Sequence, residues 1–120
     1  MSLWSAALDP AWRVAVVSGY LNTLRGSILG LHHCQCNFVP GLARVLDMAD
    51  PATLCAPRPL LFESGMKDPI FPIASSRMAL AHVRRAYSVW GMTGRITSDI
   101  FTGDHHWSGR KLQRFLNAWL

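Results

Sequence analysis

Arg58-Pro59-Leu60-Leu61-Phe62-Glu63-Ser64-Gly65-Met66-Lys67-Asp68 reads as a buried strand that runs straight into a loop carrying an acid. The hydrophobicity of Leu60-Leu61-Phe62 is continuous rather than alternating. That marks a strand covered on both faces, as in a parallel sheet. Pro59 fits only at its start, because proline cannot donate to a ladder. Upstream, Arg13-Val14-Ala15-Val16-Val17-Ser18-Gly19 is a second short run, rich in β-branched residues and closed by glycine. Downstream, Arg95 to Phe101 alternates, with Ile96, Ser98 and Ile100 opposed to Thr97, Asp99 and Phe101.

The segments between these strands read as helices and turns. Ser2 to Leu8 holds helix formers and stops at Asp9-Pro10. Thr23 to Leu31 allows a helical turn or two, and His32 to Asn37 reads as loop. A short helix is expected over Gly41–Met48 and another over Asp50–Cys55, with Asp50 as N-cap and Pro51 at the first helical position. The longest helix is expected from Ile73 to Trp90, with Ile73, Leu80, Val83, Tyr87 and Trp90 as its inward stripe. A last helix from about Gly109 to Leu120 turns Leu112, Phe115, Leu116 and Trp119 inward. Strands alternating with helices predict an α/β fold with a parallel sheet.

Residues 1–120 amount to one domain at most, and half of them are hydrophobic, which is ordinary for a packed core. No apolar run approaches the ~20 residues that cross a bilayer, and the start lacks a charged region followed by an apolar one, so neither a membrane span nor a signal peptide is expected. The formal charge is +5, carried mostly by arginine. Arg13, Arg25, Arg44 and Arg58 are scattered and no phosphate loop or basic–aromatic repeat occurs, so nucleic acid is not an expected partner. Three cysteines, two of them one residue apart at Cys34 and Cys36, fit reduced thiols of a cytoplasmic protein better than a disulfide. His32-His33-Cys34-Gln35-Cys36 has soft ligands but not the spacing of a structural zinc site, and no second ligand pair follows; no metal and no cofactor are expected.

The candidate chemistry lies past the strands. In doubly wound sheets functional groups collect on loops at the carboxyl ends of strands. Asp68 lies three residues beyond Gly65, and His105 follows the third strand within Gly103-Asp104-His105-His106-Trp107. Parallel strands put both loops on one edge of the sheet. There a carboxylate can accept the Nδ1 proton of an imidazole, fix its tautomer and leave Nε2 as a base. Taken singly, Asp68 could be a turn residue and His105 a structural one. Acid then histidine on successive strand exits is the order of an α/β-hydrolase, in which a serine comes first.

Along nearly its whole length the chain resembles the C-terminal part of α/β-hydrolases of the dienelactone hydrolase and acetyl xylan esterase type. The resemblance is carried by Ala6-Ala7-Leu8-Asp9-Pro10, Val16-Val17-Ser18-Gly19-Tyr20, His33 to Gly41, Ala56 to Leu61, Ser64 to Pro72 and Gly103 to Gly109. It implies a partial hydrolase fold whose three parallel strands are the last of the full sheet. It also implies Asp68 as triad acid, His105 as triad histidine and a carboxylic ester as the substrate of the complete enzyme. His106 stands beside the triad, and Trp107 could wall a substrate pocket. The family also needs a Gly-x-Ser-x-Gly elbow, and no such sequence occurs in this chain. The nucleophile and the oxyanion amides are therefore expected to be missing, and the chain alone to be inactive or nearly so. A strand deprived of its neighbour is an association site, so self-association or pairing with a segment holding the earlier strands is expected. A non-catalytic α/β domain that works through such association is the other reading.

Overall fold

Three parallel strands form one sheet in the order β1 (Ala15–Ser18), β2 (Leu60–Gly65), β3 (Ile96–Phe101). The structure is a computed structural model and describes residues 2–120. Helix α1 (Ser2–Leu8) precedes β1, α2 (Asp50–Thr53) precedes β2, α3 (Ile73–Val89) joins β2 to β3, and α4 (Leu112–Trp119) closes the chain. The alternation expected from the sequence is thus present, and each strand begins and ends within two residues of its expected bounds. No described helix is long and apolar enough to cross a membrane.

Strand periodicity sorts the side chains onto two faces. Leu60 and Phe62 of β2 join Ala15 and Val17 of β1 in the main core with Leu3 and Ala6 of α1 and with Ala79, Leu80, Val83 and Tyr87 of α3. Leu61, Glu63 and Asp99 face the other way, toward α4, whose Phe115 is buried. The α3 stripe is narrower than the periodicity suggests. Leu80, Val83 and Tyr87 are buried, but Ile73 is only half-buried and Trp90 is exposed. Trp90 follows the last turn of the helix, beyond the end of the sheet face that α3 covers.

Two polar side chains, one buried and one half-buried, bind distant segments. Asn22 is fully buried, and its Nδ2 donates to the Pro72 carbonyl at 3.1 Å and to Ser76 Oγ at 3.0 Å. Its own Oδ1 accepts the Thr23 amide at 2.9 Å. The long connection from Gly19 to Ala49 is thereby fastened to the start of α3, with every polar atom of the amide engaged. Arg58 does the same for α1. Its guanidinium donates to the carbonyls of Ala6, Asp9, Trp12 and Cys55. A cation at the carboxyl end of a helix also complements the helix dipole.

The helix expected over Gly41–Met48 shrinks to a single 3-10 turn at Leu42–Arg44. Asp47 explains this: its Oδ1 takes the amides of Leu24 and Met48, offering the backbone a rival to helical bonds. Asp50 is not an N-cap; Ala49 holds that place and Asp50 is the first helical residue. The Asp50 carboxylate is spent elsewhere, on the Asp47 amide at 2.7 Å and on His82 Nε2 at 2.8 Å. Thr23 to Leu31 forms isolated turns, closed by bonds such as Ser27 N–H to the Thr23 carbonyl at 3.1 Å.

Leu60 lies at the centre of the main core, whereas Met78 on the outer side of α3 is exposed. Leu60→Ala is expected to lower the free energy of urea unfolding by about 2–5 kcal/mol, through lost transfer energy and the cavity left behind. Met78→Ala should change it by no more than about 0.5 kcal/mol.

Candidate active site

The carboxyl ends of all three strands meet at one place. Gly19 leaves β1, Gly65 leads from β2 toward Asp68, and Gly103 leads from β3 toward His105. Beyond the formal sheet the chain keeps pairing: Met66 N–H donates to the Phe101 carbonyl at 2.9 Å and Lys67 N–H to the Gly103 carbonyl at 2.7 Å. These bonds carry the two loops forward together and bring acid and imidazole side by side.

Asp68 Oδ2 lies 2.8 Å from His105 Nδ1. The other oxygen, Oδ1, accepts the amides of Ile70 at 3.0 Å and Phe71 at 2.9 Å. An ionised carboxylate only accepts, so Nδ1–H donates this bond; in the neutral imidazole Nε2 is then the nitrogen with the free lone pair. The Asp68 side chain is 1% exposed while that of His105 is 45% exposed. The carboxylate is shielded and the imidazole is open to solvent.

Two neighbours hold the ring. Phe71 stacks on the His105 imidazole at 5.4 Å between centroids and 22° between planes. The same Phe71 meets Tyr20 and His33 and belongs to a small second core with Leu24, Ile28 and Met48. From below, Gly19 comes so close that a Cβ there would sit 3.0 Å from His105 Cε1, and its φ of +62° suits glycine. Gly65 is tighter still: a Cβ would lie 2.1 Å from the Asp104 carbonyl oxygen.

A cleft of about 450 Å³ opens in front of His105, with Gly19, Tyr20, His33 and Phe71 in its wall. Ser2 and Ser18 also border it, but neither hydroxyl is hydrogen-bonded to His105. His106 and Trp107 are not in this wall. His106 pairs with Asp104 at 2.7 Å and packs on Phe101, and the exposed Trp107 lies against Gly109. In the cysteine–histidine segment His33 Nε2 bonds Ser27 Oγ at 2.9 Å, Cys34 and Cys36 are exposed, and no three ligating side chains converge among the described residues.

Several solved structures share this arrangement of strands and helices. A carbohydrate esterase family 15 glucuronoyl esterase from Caldicellulosiruptor kristjansonii superposes with a TM-score of 0.74 at 20% identity, over 97% of this chain and 38% of its own. A promiscuous esterase of the same family from a marine bacterial metagenome gives 0.69 at 17% identity, over 99% of this chain and 39% of its own. Methylesterase BT1017 gives 0.65 at 17% identity, over 98% of this chain and 26% of its own. The chain carries part of the α/β-hydrolase fold. It spans well under half the length of each of these neighbours. No protein-family model matches the sequence, and no curated protein is similar to it.

Asp68 and His105 stand out in the sequence; Phe71, Gly19 and the carboxylates behind the histidine loop do not stand out there as part of a site. Gly19 carried a signal, as the glycine closing a strand. Glu63 and Asp99 carried another, as lone charges inside apolar strands. Phe71 carried none, because an aromatic three residues past an acid is unremarkable until the loop folds over.

The crossing at Gly65 gives a direct check. Gly65→Ala must displace the backbone at Asp104 and is expected to cost about 1–3 kcal/mol in thermal or urea unfolding. Gly94→Ala, where an added methyl meets open space, should be neutral or slightly stabilising.

Proposed function

We propose that this chain is the acid-and-histidine portion of a serine-type carboxylic-ester hydrolase, the C-terminal part of such a domain. The observation that carries the reading is the 2.8 Å contact between a shielded Asp68 and an open His105 on adjacent parallel strand exits. The esterase names of its structural neighbours support it.

In the complete enzyme a serine hydroxyl attacks the ester carbonyl. His105 Nε2 takes the hydroxyl proton, and Asp68 steadies the imidazolium through Nδ1. The tetrahedral intermediate collapses, His105 returns the proton to the departing alkoxide, and an acyl-enzyme remains. Water, deprotonated by the same Nε2, then releases the acid. The serine and the amides that hold the oxyanion come from a segment carrying the Gly-x-Ser-x-Gly elbow, which the 120 residues do not contain.

β1 is the natural place for that segment to join. It is an edge of the sheet, with β2 on one side only. The same edge also favours a second reading, a non-catalytic domain that acts by pairing with itself or a partner through β1.

Hydrolysis of p-nitrophenyl acetate separates the two. The chain alone is expected to be no faster than its own His105→Ala variant. Joined to a segment bearing the elbow it should gain about 10³-fold or more, and His105→Ala should abolish that gain. A reconstituted enzyme indifferent to His105→Ala would rule out the hydrolase reading. Association has its own test. The chain should elute in size-exclusion chromatography with light scattering as a dimer or larger, and Val16→Lys, which charges the open edge, should shift it to monomer.

A further inference from the structure

Behind the histidine loop lie two buried carboxylates. Glu63 of β2 and Asp99 of β3 are register partners in the parallel ladder. Glu63 is 0% exposed and Asp99 1%. Glu63 Oε1 accepts the Gly109 amide at 2.8 Å. Asp99 Oδ2 accepts the Ser108 hydroxyl at 2.7 Å and Arg110 Nε at 3.2 Å, while its Oδ1 takes Arg110 Nη2. Three successive residues, 108 to 110, are thus tied to two adjacent strands. They are the returning limb of the loop that leaves β3 at Phe101 and carries His105. Gly109 has a φ of +66°, so the limb turns sharply at the point where Glu63 grips it.

Stability alone does not account for this pair. Burying a carboxylate costs several kcal/mol unless its partners are excellent, and an apolar pair of similar size often serves a core equally well or better. The bonds to Arg110 hold the Asp99 carboxyl below its ordinary range, so Asp99 is well compensated. Glu63 is not: its Oε2 has no hydrogen-bond partner among the described residues. A buried oxygen left unpaired is a cost that an apolar side chain would avoid. What the two carboxylates offer is aim, since only acceptors fixed to rigid strands can locate an amide and a hydroxyl at the root of a loop.

We propose that Glu63 and Asp99 are positioning residues for His105, clamping residues 108–110 so that the loop returns with Nδ1 of the imidazole on Asp68. The proposal rests on the reading of His105 as the proton carrier of an ester hydrolase. Neither carboxylate touches the reacting atoms. Glu63 fixes the limb through a backbone amide, and Asp99 fixes it through Ser108 and Arg110.

The readout is the low-field Nδ1 proton of His105 in the ¹⁵N-histidine-labelled chain, with its exchange rate against water. The unsubstituted chain should show a protected resonance. Glu63→Gln, which keeps an acceptor for the Gly109 amide, should retain it. Glu63→Met, which keeps volume but removes the acceptor, should speed exchange about tenfold or erase the signal, while the His82 resonances and the circular dichroism stay unchanged. Ser108→Ala removes one bond at a half-buried position and needs no change in the core; it should speed exchange by about threefold. Unaltered exchange in Glu63→Met, or in Ser108→Ala where the Met variant does not fold, would overturn the clamp. Absence of a protected Nδ1 proton in the unsubstituted chain is a different result: it would sink the acid–histidine pair itself, and the clamp with it.

Discussion

The site depends on a carboxylate that cannot turn. Asp68 spends Oδ1 on two amides of its own loop, at Ile70 and Phe71, and so presents Oδ2 in one direction only. An Asp free to rotate would meet an imidazole occasionally; one anchored by its own turn meets it in a single geometry. The turn that fixes the acid also delivers Phe71, whose ring stacks on the imidazole. One loop therefore supplies the hydrogen bond to the edge of His105 and the packing on its face. Position and chemistry come from the same four residues, 68 to 71.

That economy requires the strand exits to lie close together, and glycine makes the closeness tolerable. At Gly65 the chain of the histidine loop passes over the backbone at a distance no side chain would permit. At Gly19 the imidazole rests where a Cβ would be. Parallel strands pack about 4.8 Å apart, so three loops leaving one edge are crowded unless some carry no side chain. The crowding is what shields Asp68 while His105 remains open to the cleft.

The fold was legible because it rests on patterns that short windows contain. Continuous apolar runs closed by glycine gave β1 and β2, alternation gave β3, and the long stripe gave α3. The meeting of Asp68 and His105 was legible because successive parallel strands put both exits on one edge of the sheet. The failures have a common cause. Asp47 falls inside an expected helix and Asp50 at an expected helix start, yet their carboxylates serve amides and an imidazole brought near by the fold. Arg58 looks like a surface charge and instead gathers four carbonyls. A polar side chain's partner is chosen by tertiary structure, and local spacing cannot name it.

The two edges of the sheet are unlike each other. Along β3 the carbonyl of Ser98 is taken by Lys111 Nζ, that of Ile100 by Arg110, and the Ser98 hydroxyl by Arg84 of α3. Cations from α3 and from the turn before α4 thus close over this edge, and a charged cover is how sheets discourage further pairing. Among the described residues no such cover is drawn over β1, where Val16 and Ser18 are half-buried and no side chain bonds their backbone. Growth of the sheet is therefore directional: it is blocked beside the histidine strand and open beside the strand that ends under the imidazole. A strand added parallel to β1 would bring its own carboxyl end next to Gly19, and so next to the imidazole of His105. On the hydrolase reading proposed above, a nucleophile carried on such an exit would need no long reach to meet Nε2, which ties the acid–histidine pair to the bare edge.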